Sequence, residues 1–66
     1  MERGLTKRER EVLGGIARDL SNAEIARSLG IAPATVKAHI TAIFQKLGVA
    51  NRTEAARVAQ DLDLID

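Results

Sequence analysis

The stretch NAEIARSLGIAPATVKAHITAIFQKLG, residues 22–48, holds two segments of helical apolar periodicity separated only by Gly30-Ile31-Ala32. A three- or four-residue turn containing glycine sets two helices roughly perpendicular, so the first must brace the second. In the first segment Ile25, Ala26 and Leu29 share a face. Ser21 and Glu24 form a capping box, in which each side chain accepts from a backbone N–H that the helix start leaves unpaired. Gly30 is placed to take the left-handed conformation that ends this helix, and Ile31 can then pack back onto it. In the second segment Pro33 fits the first helical position, where its missing N–H does no harm. Val36, Ile40, Ile43, Phe44 and Leu47 fall within one arc at 100° per residue. Gly48 stops this helix, and Val49 can fold back as Ile31 does.

The flanks read the same way. Thr6 with Glu9 is a capping box, and Leu5, Val12, Leu13, Ile16, Ala17 and Leu20 fall mostly on one stripe. Gly14 and Gly15 lie inside that helix and cost about 1 kcal/mol each relative to alanine; they permit a close helix approach or mark a soft spot. Asn51 with Glu54 gives a third box-like start, followed by the stripe Ala55, Val58, Ala59 and Leu62, with Leu64 and Ile65 closing over the end. No segment alternates with period two. The expectation is an all-α, compact four-helix bundle containing a helix-turn-helix, with helices about 7–19, 22–29, 33–47 and 51–62, in a single domain over residues 1–66.

Composition narrows the chemistry. A chain of 66 residues buries only about 60% of its unfolded surface. With one phenylalanine and no tryptophan or tyrosine, its core must come from Leu, Ile, Val and Ala. The absence of cysteine excludes disulfides, thiolate metal sites and cysteine catalysis. No apolar run approaches the roughly 18 residues that span a membrane, and MERGLTKRER has no apolar signal core, so a cytoplasmic protein is expected. Ser21, Ser28 and His39 are the hydroxyl and imidazole candidates for catalysis besides threonines, but no acid is placed to orient the histidine and no glycine loop to cradle phosphate follows a strand. Neither enzyme activity nor a metal, cofactor or small-molecule ligand is expected. His39 reads as a half-buried packing residue with a polar tip, or else as a phosphate contact. The net charge is only +1. Its distribution is uneven: residues 25–60 carry Arg27, Lys37, Lys46, Arg52 and Arg57 against Glu54 alone, while Asp61, Asp63 and Asp66 crowd the end. A basic middle suits a polyanion, although a solvated helix surface accounts for it as well.

Helix 33–47 carries the functional signal. Opposite Val36 stand Ala34, Ala38, Thr41 and Gln45, flanked by Lys37 and Ala42. Small side chains let a helix about 10–12 Å wide approach base edges in a major groove about 12 Å wide. Lys37 can donate to guanine O6 and N7, and Thr41 can hydrogen-bond or set its methyl against that of thymine. An alanine-rich, helix-favouring surface would look the same. Candidate phosphate contacts surround this helix: Asn22 at a helix start, where free N–H groups favour an anion, Thr35 in the first turn, Lys46 near the end, and Asn51 and Arg52 at the next helix start.

The segments LTKREREVL, SNAEIARSLGI, TVKAHITAIFQKLGV and NRTEA, spanning about Leu5 to Ile65, closely resemble the LuxR-type (GerE-type) helix-turn-helix domain of bacterial response regulators and quorum-sensing regulators. The resemblance implies a four-helix domain that binds double-stranded DNA as a dimer and regulates transcription, with RNA polymerase as a further partner. It implies base contacts from Lys37, Ala38 and Thr41, and backbone contacts from Thr35, Lys46 and Asn51 or Arg52. The fourth helix is the typical dimer contact, and Thr53, Ala56, Arg57 and Gln60 lie opposite its buried stripe. Three residues depart from the pattern. Ala32 replaces a serine-like cap, Gly14-Gly15 replaces bulkier residues, and Arg57 would meet its own copy across a two-fold axis unless the partner's Asp61 pairs with it. A dimer that is weak off DNA is therefore expected. Most members carry a sensory or phosphoacceptor domain ahead of this unit, and the 66 residues read equally as an effector fragment or a small regulator. Two other readings remain: a sigma-factor promoter-reading domain, which the lysine-x-histidine pattern and NRTEA disfavour, and a small protein–protein adaptor using the outer face of the fourth helix.

Overall fold

The structure, a computed structural model, describes residues 4–61. Four helices follow one another: α1 (Lys7–Ala17), α2 (Asn22–Leu29), α3 (Pro33–Leu47) and α4 (Arg52–Asp61), with no strand among the described residues. The described chain measures 26 × 21 × 21 Å. At 1.5 Å per residue the 15 residues of α3 run about 22 Å, nearly across the domain.

The local signals act where the sequence places them. Thr6 and Glu9 cap each other's N–H groups at 2.9 and 3.1 Å, and Ser21 and Glu24 do so at 2.8 and 3.1 Å. Gly30 and Gly48 both adopt the left-handed conformation, at φ 70° and 68°. The next residue donates back across each helix end: the Ile31 N–H to the Ala26 carbonyl at 3.0 Å, and the Val49 N–H to the Phe44 carbonyl at 3.1 Å. Both Ile31 and Val49 pack against the core, so each stop combines a backbone reversal with an apolar anchor. Ala32 makes no side-chain cap, which leaves Pro33 as the local start signal of α3.

Two boundaries differ from expectation. Helix α1 ends at Ala17 rather than residue 19, because Asp19 itself turns left-handed at φ 64°. The Leu20 N–H then reaches the Gly15 carbonyl at 3.0 Å, closing a glycine-type stop on an aspartate. Asn51 lies outside α4 as its cap, accepting from the Glu54 N–H at 2.9 Å. The Glu54 carboxylate takes the Ala50 N–H at 2.8 Å, one residue earlier than a reciprocal box would. The expected contributions of Leu62, Leu64 and Ile65 lie outside the described residues.

The core gathers Leu5 and the α1 residues Val12, Leu13 and Ile16 with Ile25 and Ala26 of α2, Val36, Ile40, Ile43 and Leu47 of α3, and Ala55 and Ala59 of α4. Burying each large aliphatic side chain stabilises the fold by about 1.5–3 kcal/mol. Helix α1 is the centre, packed on α3 and α4, while α2 packs chiefly on α3. The two adjacent glycines separate in role. A β-carbon on Gly15 would stand 2.7 Å from Ile25 Cγ1, so this glycine admits α2. A β-carbon on Gly14 would meet nothing within 4 Å. Gly14→Ala is therefore expected to raise unfolding free energy by about 1 kcal/mol. Gly15→Ala is expected to lower it, because overpacking at about 1–3 kcal/mol outweighs the same helix-propensity gain. Urea unfolding of the two variants measures both.

Candidate nucleic-acid interface

Helix α3 divides its residues cleanly between two faces. Val36 and Ile43 are 0% exposed, Leu47 6% and Ile40 9%. Ala34, Thr35, Lys37, Ala38, Thr41 and Gln45 are exposed, and Ala42 is half-buried at the edge. No other part of the described chain covers Ala38 or Thr41. Helix α2 and α1 support the helix from behind, so its outward side stands clear for a duplex. Lys37 has no carboxylate within 4.0 Å among the described residues, so its charge is not neutralised internally. The Thr41 hydroxyl donates to the Lys37 carbonyl at 3.2 Å. Its oxygen lone pairs and methyl, rather than its proton, remain for an incoming base.

The expected phosphate contacts are more deeply tied into the fold than the sequence suggests. Arg52 is half-buried and reaches back across the domain: Nη1 donates to Asn22 Oδ1 at 2.8 Å and Nη2 to the Leu20 carbonyl at 2.7 Å. This pins the α1–α2 turn to the start of α4 and leaves the Asn22 amide nitrogen for another acceptor. Asn51 Oδ1 is engaged as a helix cap. Lys46 Nζ lies 2.7 Å from Glu9 Oε1 and 3.3 Å from the Gly4 carbonyl, while its side chain keeps 35% exposure. Thr35 stands exposed in the first turn of α3.

In the sequence Glu9 reads only as a cap. The structure buries it and gives it a second task, joining the start of α1 to the end of α3 through Lys46. The Lys46 hydrogen bond, then the Thr6 backbone N–H, hold its carboxyl below the ordinary 4.5 against the opposing effect of burial. No local pattern announces a pair 37 residues apart. On α4, Thr53, Arg57 and Gln60 are exposed as expected. Ala56 is half-buried against the core, so it lies at the edge of the outer face rather than in its middle. His39 is half-buried, as a packing residue with a polar tip should be. Among the described residues no group of His, Cys, Asp or Glu side chains could hold a metal ion, and no helix is long and apolar enough to cross a membrane.

A bracing helix, a glycine turn and a second helix standing clear with small side chains outward define a helix-turn-helix domain of the DNA-binding, transcription-regulating class. The family described as bacterial regulatory proteins, luxR family, matches residues 3–59, and the chain belongs to it. The solved transcription factor GerE is 39% identical with a TM-score of 0.82, covering 94% of this chain and 92% of that one. The response regulator ChrA, of a heme-sensing two-component system, is 45% identical with a TM-score of 0.85, covering 94% of this chain and 31% of that one. The transcriptional regulator MalT of Serratia proteamaculans is 52% identical over 58 residues, and that of Vibrio cholerae 48%. The chain spans about 6% of the length of these MalT relatives.

The Glu9–Lys46 pair gives the interface a pH-dependent support. A carboxylate whose pKa is lowered by folding contributes stability above its unfolded value, here 4.5, and loses it as pH falls through the lower folded value. Glu9→Gln is expected to cost about 2 kcal/mol at neutral pH and to make stability less sensitive to acid below 4.5. Urea titrations across that range measure both effects.

Proposed function

We propose that this chain is the DNA-reading part of a bacterial transcription regulator and binds duplex DNA sequence-specifically with α3 in the major groove. The single observation that carries this reading is the clear outward face of α3. Lys37, Ala38 and Thr41 are open there while every large aliphatic residue of the helix is turned inward. Lys37 donates to a guanine edge, Ala38 lets the backbone come close, and Thr41 offers its methyl to thymine or its oxygen to a donor. Phosphates are met by the N-terminus of α2 beside Asn22, by Thr35, by the remaining donor of Lys46, and by the start of α4 at Asn51 and Arg52. Arg52 serves first to hold Asn22 and the α1–α2 turn in place.

Two copies occupy adjacent half-sites and meet through Thr53, Arg57 and Gln60 of α4, with Ala56 at the rim. Opposed Arg57 side chains keep this dimer weak until DNA brings the copies together. RNA polymerase is contacted from surface that the duplex leaves open, in the bacterial cytoplasm. The likeness to ChrA and MalT supports a role as effector unit for a signal received elsewhere in a longer protein.

Lys37→Ala is expected to weaken specific binding by about 1–3 kcal/mol and to relax selection at one base position, with thermal stability unchanged. Binding-site selection from random duplexes, run on both proteins, measures the effect. An identical selected site and affinity would overturn the reading.

A further inference from the structure

We propose that a cleft between α1 and the end of α2 is a docking site for an acidic, amphipathic segment of a partner protein. The cleft has a volume of about 410 Å³ and is lined by no residue of α3 or α4. It therefore shares no residue with the outward face of α3. Three cations, Lys7, Arg10 and Arg18, line it together with Gly14, Ser28 and the apolar Leu20 and Leu29. Positions 7, 10 and 14 follow helical spacing along α1 and Arg18 caps its end, so the three cations flank the glycine.

Two independent features select the occupant. The first is charge. Among the described residues none of these three cations has a carboxylate within 4.0 Å, and Glu11, the acid at the rim, is paired with Arg8 at 3.3 Å. The second is shape. A glycine inside a helix costs about 1 kcal/mol relative to alanine, yet a β-carbon on Gly14 would meet nothing within 4 Å. Internal packing gives no reason for it. The missing side chain leaves open space in a cleft that Leu20 and Leu29, both half-buried, also line. Carboxylates fit the three cations, and an apolar side chain fits the space beside the two leucines. A helix presenting both on one face meets both conditions, whereas a phosphate backbone meets only the first.

The test uses the isotopically labelled 66-residue chain and two synthetic helical peptides of equal length and charge. One carries glutamates and leucines on a single face; in the other, serine replaces leucine. The leucine peptide is expected to shift the amide signals of α1 around Arg10–Arg18 and of the end of α2, leaving Lys37 and Thr41 unmoved. The serine peptide is expected to bind about tenfold more weakly, the equivalent of one buried apolar side chain. Gly14→Leu, which fills that space at a position compatible with helix, is expected to weaken the leucine peptide as much while DNA affinity stays the same. Arg18→Glu, at the exposed rim, is expected to do likewise if Gly14→Leu disturbs the fold. Equal binding of the two peptides overturns the proposal. So do shifts spread over all cationic surfaces, or duplex DNA shifting the same cleft signals.

Discussion

The outward face of α3 depends on how the chain turns between Leu29 and Pro33. Gly30 reverses the backbone in a conformation that residues with a β-carbon resist, and the Ile31 N–H closes the turn on the Ala26 carbonyl. Ile31 then anchors the turn by packing on the core. Ala32 adds no cap, so the start of α3 is held by Pro33 and by burial of Val36 rather than by a strong local signal. From there each large aliphatic side chain of α3 lies on the side that faces α1 and α2. The small and polar residues face outward by exclusion, and a groove-sized rod results. Its function follows from which residues the core did not need.

Much of this arrangement is written in short-range pattern. Capping boxes, left-handed glycines and an N-terminal proline act within a few residues, so the sequence shows the order of the helices and most of their ends. Asp19 breaks that legibility: an aspartate in the left-handed region carries no composition signal of the kind that Gly30 and Gly48 carry, and α1 stops two residues before periodicity suggests. Gly14 and Gly15 are identical as letters and opposite in role, because only the position of Ile25 distinguishes them. The site shows the same limit. The exposed residues of α3 could be placed from angular periodicity alone. The partners of Lys46 and Arg52 could not, since Glu9 lies 37 residues away and Asn22 30 residues away, and which surface cation meets which acceptor is set by helix packing.

These long-range polar links change the view of the charge pattern. Read linearly, the basic middle looks like a row of phosphate contacts. In the folded chain Lys46 joins α3 to the start of α1, and Arg52 joins α4 to the α1–α2 turn, so both brace the helices that would meet a duplex. Lys37 is then the cation on the α3 face itself that is committed to nothing else. On the proposed reading, a face with so little charge selects sequence through close fit more than it gains affinity through attraction.

Methylation interference on a tightly bound duplex probes the placement of α3 most directly, because one reagent marks guanine N7 in the major groove and adenine N3 in the minor groove. The account predicts that binding is lost when N7 is methylated within one short run of base pairs per half-site, while N3 methylation within that run is tolerated. Interference confined to adenine N3, with major-groove guanines free to carry the methyl group, would contradict it.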